Sequence, residues 1–406
     1  MVYRTHTLNN GLRIIYKPED IPVCYCGMVI NTGTRDELPE EHGMAHFVEH
    51  MLFKGTQNRR ASHIINRLEN VGGELNAFTS KEETVVYATV LKEHAHRAVE
   101  LITDIVFYSV FPQKEIEKEK VIVLDEIQSY NDSPSELIYD DYEEQLFRNH
   151  ALGHSILGKQ EIIENFDTEK LLNFVQNKYA TGEMVFFVLG NLNFDKLIKQ
   201  LEAQTAQSNF PLSKPAGTQP NAFIPETRVI NKDTHQIHYI LGNRAYDLHH
   251  SDRMGMYLLN NILGGPGMNS MLNLSLREKH ALVYHVDSSF QPMTDTGLWC
   301  VYFGTDPENA SKCEKLVLKS LEYLRENRMK DQLLNKYKMQ LMGQMAIASE
   351  NKENFALSLG KSFLRYGKID DIETIRMHIN NVTTEQLQRI ANEVFNPEKF
   401  SILKYT

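Results

Sequence analysis

The sequence has little that could staple it covalently or carry it through a membrane. Its 406 residues include four cysteines, Cys24, Cys26, Cys300 and Cys313. They are too few and too irregularly spaced for a disulfide framework, and they read as reduced core or surface thiols. Long apolar runs are also missing. The longest strongly apolar stretch, Met184 to Leu189, is far too short to cross a bilayer. Met1 to Leu8 lacks the basic-then-apolar layout of a signal peptide and leads directly into strand-like Leu12 to Tyr16, so a cytoplasmic protein is expected. An excess of positive charge is absent as well. The net charge of −10 disfavours nucleic acid or an anionic membrane as partner, whereas an acidic surface lining a cavity would attract basic substrates. With 42% apolar and 24% charged residues, the chain has the composition of a globular protein long enough for two domains.

What the chain does have is His46-Phe47-Val48-Glu49-His50, inside an amphipathic segment that predicts a helix over Glu41 to Lys54. Helical residues four apart share a face, so His46 and His50 can both aim at one metal ion. Glu49 lies between them, where a carboxylate can take a proton from a metal-bound water. Composition alone would give about 0.08 matches to such a pattern per chain, so the motif needs context. His42 lies four residues before His46 and forms a rival pair, but only His46 and His50 bracket a glutamate. Met339, Met342 and Met345 have helical spacing and read as core.

The context comes from a repeat. Thr168 to Phe174, with Tyr179 and the strand from Met184, matches Thr384 to Ile390, with Phe395 and the strand from Phe400, at an offset of 216 residues. Gly43-Met44 matches Gly255-Met256 at an offset of 212. Strands Thr84 to Leu91 and Gly297 to Gly304 occupy equivalent places in the two halves. Gln204 to Pro225, rich in Ser, Pro, Gln, Ala and Asn, reads as the linker. The expected organisation is α+β: two tandem homologous α/β domains, 1–214 and 215–406, each a mainly antiparallel sheet packed with helices. On the 212 offset His46, Glu49 and His50 fall opposite Leu258, Asn261 and Ile262, so the second half carries no equivalent metal-binding set.

Two histidines leave a zinc site short of a third protein ligand. The charged segment Glu115 to Tyr130 predicts a helix on which Glu119 and Glu126 share a face, and helical periodicity leaves Glu119, Asp125 and Glu126 all as candidates.

His46 to Thr56, then Asn76-Ala77-Phe78-Thr79 leading into Thr84-Val85-Val86-Tyr87, then a glutamate 76 residues after His50, resemble the inverted zincins of the M16 (pitrilysin) family. In the second half, Gly264 to Met268 and Arg277 to Tyr284 look like that family's inactive-domain signature. The resemblance covers essentially the whole chain. It implies the mitochondrial-processing-peptidase-like metallohydrolase fold, one Zn²⁺ per chain held by His46, His50 and Glu126, Glu49 as catalytic base, and Glu119 as support for the site. It also implies substrate contacts at Asn76, Ala77, Arg277 and Tyr284. Ala281 stands where glycine is commoner in the family, with little consequence expected beyond local backbone geometry. Two domains rather than four place the chain in the processing-peptidase-like branch, where a homodimer, or a heterodimer with an inactive paralogue, is the expected assembly. The expected activity is zinc-dependent endopeptidase action on extended peptides. The alternatives are a non-catalytic scaffold or peptide-binding subunit and, as another metal chemistry, a two-His-one-carboxylate iron enzyme.

Overall fold

The computed structural model describes residues 3–406 apart from 216 and 233. The chain forms two compact units. One comprises Met1–Gln128, His154–Thr218 and Ile347–Ile369, and the other Ser129–Gly153, Gln219–Ala346 and Asp370–Thr406.

In the first unit, β1 (Arg4–Thr7), β2 (Arg13–Pro18), β3 (Val23–Ile30), β4 (Glu74–Thr79), β5 (Thr84–Leu91) and β6 (Met184–Gly190) form one sheet, in the order β1-β2-β6-β3-β5-β4. Only β2 and β6 run parallel; the other pairs are antiparallel. β6 is apolar throughout because both faces are covered. Phe186 and Val188 face a core built with α1 (Met44–Leu52) and α3 (Ala95–Phe107). Val185, Phe187 and Leu189 face Ala356, Leu359 and Phe363 of the helix Lys352–Tyr366. The remaining early helices are α2 (Ala61–Glu69) and α4 (Gln113–Asn131).

The second unit repeats the plan. β7 (Thr227–Ile230), β8 (Ile237–Ala245), β9 (Val283–Pro292), β10 (Gly297–Thr305) and β11 (Ser401–Tyr405) lie in the order β7-β11-β8-β10-β9, again with one parallel pair, β7 with β11. Strand for strand this is β2-β6-β3-β5-β4 of the first sheet. One face meets the helix Arg253–Gly264, and the other is covered by Leu137, Ile138, Tyr142 and Leu146 of the helix Pro134–Leu146.

The compact units do not follow a single cut in the sequence. The helix Lys352–Tyr366 belongs to the unit built mostly from the first half, and the helix Pro134–Leu146 to the unit built mostly from the second. Helix limits also differ from the sequence reading. The metal-motif helix runs Met44–Leu52, because Gly43 at φ 95° is its left-handed N-cap and closes it to anything earlier. The methionine stripe is not core: Met339 is 62% exposed, and the helix Asp331–Ala348 buries only Leu334 and Lys338 among its described side chains.

Gly43 fixes where α1 begins, and a Cβ there would stand 2.6 Å from the Gly158 Cα. Gly43→Ala is therefore expected to destabilise the protein by about 2–4 kcal/mol, from the left-handed φ and the backbone clash together. Chemical denaturation followed by far-UV circular dichroism checks this; an unchanged midpoint contradicts it.

Candidate active site

α1 enters the core with its apolar residues down and its motif along one side. Phe47, Val48, Met51 and Leu52 are buried among β-sheet and α3 side chains, which fixes the helix in rotation. Glu37 fixes its start, accepting hydrogen bonds from the Gly43 and Ala45 backbone N–H groups at 3.0 and 2.8 Å. Burial nevertheless pushes the Glu37 carboxyl well above the usual carboxylate range, against those two bonds.

α4 supplies the facing carboxylates. Ile116, Glu119, Val123 and Ile127 follow a 3-4-4 spacing, so Glu119 sits on the stripe that faces the core. Its Oε1 lies 3.0 Å from His50 Nδ1 and its Oε2 2.7 Å from Lys54 Nζ. Glu126, two turns on, has a half-exposed side chain whose Oε2 lies 3.6 Å from His50 Nε2 and 3.8 Å from His46 Nε2. Asp125 is exposed.

His46, His50 and Glu126 each offer a ligand atom, and all three atoms lie within 4.8 Å of one another. Zinc–nitrogen and zinc–oxygen bonds of about 2.0–2.1 Å put tetrahedral donor atoms about 3.3–3.4 Å apart, so the two imidazole–carboxylate separations suit an ion among them. The donor set, two imidazoles and a carboxylate, is chemically right for zinc. Glu119 suits the fit: a carboxylate at His50 Nδ1 favours the tautomer with the proton on Nδ1, in which Nε2, 3.6 Å from Glu126, is the free nitrogen.

The two imidazoles differ in their hold on a proton. Burial, with His50 beside it, drives His46 down to about 3. Burial also works against protonated His50, but Glu119, Glu126 and Glu49 together outweigh it and raise its pKa above the ordinary value of about 6.5. The Glu49 carboxyl is raised, mainly by burial, with Thr79 opposing.

The sequence-predicted residues fall into two groups. His46, Glu49, His50, Glu119 and Glu126 belong to the first unit, as do Asn76 and Ala77 on β4, the terminal strand of its sheet. Arg277 and Tyr284 belong to the second: Arg277 lies in the short π-helical turn Asn273–Glu278 with a half-exposed side chain, and Tyr284 near the start of β9 is 85% exposed. Ala281 between them has φ 48°, a left-handed backbone that strains alanine and that glycine adopts freely. His42 is not in the cluster of possible ligands; its ring lies against that of His154, with centres 4.1 Å apart and planes tilted by 33°. Sequence reasoning missed Glu37, whose signal was an acid shortly before the helix-opening glycine. It also missed Tyr179, a buried ring whose hydroxyl feels the Glu49 charge and whose counterpart in the repeat is Phe395.

Fold and site together define a two-domain α/β protein with a zincin-like His-x-x-Glu-His helix in the first domain alone. Residues 13–160 match the insulinase model of peptidase family M16, and residues 165–341 match the family's inactive domain. The chain is 32% identical over 396 residues to the uncharacterized zinc protease YmxG of Bacillus subtilis, covering 97% of this chain and 96% of that one. It is 30% identical over 390 residues to an uncharacterized zinc protease of Rickettsia felis, covering 96% and 94%. Its fold matches the crystal structure of a peptidase M16 inactive domain from Pseudomonas fluorescens (TM-score 0.91, 22% identity, 100% and 98% covered). It matches equally that of a protease from Helicobacter pylori (TM-score 0.91, 22% identity, 100% and 99% covered). The chain belongs to peptidase family M16.

A proton on His50 must leave before Nε2 can bind metal, so metal affinity is expected to fall about tenfold per pH unit once the pH drops below the raised His50 pKa. His46, already low, does not contribute to that fall. Glu119→Gln is expected to move this acidic limb to lower pH and to weaken binding at pH 8 by about 10–100-fold. Competition against a fluorescent zinc chelator measures both; an unchanged pH limb contradicts the role given to Glu119.

Proposed function

We propose that the chain is a zinc-dependent endopeptidase that hydrolyses peptide bonds in extended or unfolded segments. The convergence of His46, His50 and Glu126, with Glu49 on the same helix, carries this reading. That its relatives in Bacillus subtilis and Rickettsia felis are named zinc proteases supports the choice of metal. One zinc ion held by His46, His50 and Glu126 would supply Lewis acidity toward the scissile carbonyl and toward the attacking water.

Glu49 is the general base. Its raised carboxyl pKa moves it toward the range in which a carboxylate takes a proton from water and later releases it to a departing amine. The proton passes from the water oxygen to a Glu49 carboxylate oxygen and then to the leaving nitrogen, so Glu49 ends the cycle ionised. Glu119 keeps the His50 ring in one tautomer throughout. Burial of His46 keeps its imidazole neutral and available as a ligand.

Substrate is held by strand addition. β4 pairs with β5 on one side and is the last strand of its sheet among the described residues, so its other edge can accept an extended peptide at Asn76 and Ala77. Recognition through backbone groups of this kind favours unfolded segments over folded proteins. The exposed Tyr284 and the half-exposed Arg277 are suited to grip the same substrate from a second protomer, which makes a homodimer the assembly proposed here.

Glu49→Gln is expected to retain zinc while losing about 10²–10⁴-fold in peptide cleavage. Cleavage of an unstructured peptide at the wild-type rate by that variant contradicts the mechanism. Sedimentation of the active enzyme at assay concentration is expected to show a dimer; a fully active monomer overturns the assembly, and activity requiring an added inactive paralogue replaces it with a heterodimer.

A further inference from the structure

The second unit contains a cleft of about 370 Å³ where the layer between β8–β10 and the helix Pro134–Leu146 runs out. Tyr139, His238, Tyr284, His285 and Tyr302 line it, with Gly304 between them. The strand register makes this wall: Tyr302 pairs with Asp287 on one side and Ile240 on the other, and Gly304 pairs with His238. Side chains of paired residues share a face, so Asp287, Tyr302 and His238 all point to the side covered by Tyr139. The Tyr139 and Tyr302 ring centres lie 5.2 Å apart, and the His238 and His285 rings stand 6.2 and 6.0 Å from Tyr302. Gly304 leaves room: a Cβ there would be 3.4 Å from both Gln236 Oε1 and the Tyr302 hydroxyl.

The charge behind this wall is negative. Asp287 Oδ1 accepts a hydrogen bond from the Tyr139 hydroxyl at 3.1 Å and lies 3.0 Å from His285 Nε2. Among the described residues no lysine or arginine pairs with it. Burial pushes its carboxyl up, while His285 and the Tyr139 hydroxyl act in the opposite direction. Tyrosine ring faces attract cations, and a carboxylate at their base adds direction. Among the described residues only His285 pairs with Asp287, and the exposed His285 and partly exposed Asp287 leave the cleft accessible from solvent.

We propose that this cleft binds the basic side chain, guanidinium or ammonium, of a peptide. That the cation belongs to a peptide rests on the peptidase reading; the cleft's preference for a cation does not. The test uses the full-length chain carrying Glu49→Gln, so nothing is consumed and peptidase activity plays no part in the readout. N-acetylarginine amide and N-acetylcitrulline amide, alike in shape but differing in charge, are titrated by ligand-observed NMR. Arginine is expected to bind about tenfold more tightly than citrulline, within the range of a partly desolvated cation over aromatic rings. The near-isosteric Asp287→Asn should remove most of that preference. Tyr284→Ala, at a side chain 85% exposed and outside the core, should weaken arginine binding about threefold. Equal affinity for the two amides overturns the proposal. So does an arginine preference that survives both substitutions and vanishes on Glu126→Gln, since the cation would then sit at the metal site.

Discussion

Glu119 occupies a position on α4 where the 3-4-4 stripe of Ile116, Val123 and Ile127 calls for an apolar side chain. A carboxylate buried there is costly unless its oxygens are satisfied. Both are, one by His50 and the other by Lys54, and those two residues lie four apart on or just past α1. The bond to His50 does more than compensate burial. It favours the tautomer in which Nε2 is free, and so suits two histidines that share a helix face to the common target proposed for them. Everything else in the first unit serves this geometry: Gly43 and Glu37 set the start of α1, and the core residues Phe47, Val48, Met51 and Leu52 set its rotation.

The second copy of the fold shows what the same helix becomes without that demand. Its sheet repeats the strand order of the first, but Leu258 and Ile262 stand where the repeat places His46 and His50, and both are buried in the core. Asn261, opposite Glu49, donates to Gln344 and keeps its Oδ1 unpartnered among the described residues. A helix free of ligands can turn its whole face to the core. The further task proposed for that unit falls to the cleft at Tyr302, beside Asp287.

Much of this was legible in the sequence. The strand read at Thr84 to Leu91 is β5 to the residue, and the two offsets predict a duplicated sheet whose strand orders agree. Helical spacing put Glu119 and Glu126 on one face of one helix but did not choose between them, because they differ in burial and not in periodicity. The placement of the helices Pro134–Leu146 and Lys352–Tyr366 in opposite units was not legible at all, since an apolar helix face carries no label for the sheet it covers. Met339 misled for a related reason: its stripe has helical spacing, but the helix lies with that residue toward solvent. The strain at Ala281 is a backbone property, visible only once its φ of 48° is known.

The account stands on His46, His50 and Glu126 acting as one zinc site. Elemental analysis of the full-length protein purified without added metal, beside Glu126→Gln prepared in the same way, tests this most directly. One zinc per chain in the native protein and substantial loss in the variant is the result the account predicts. Stoichiometric zinc in both, or iron in place of zinc, would contradict it.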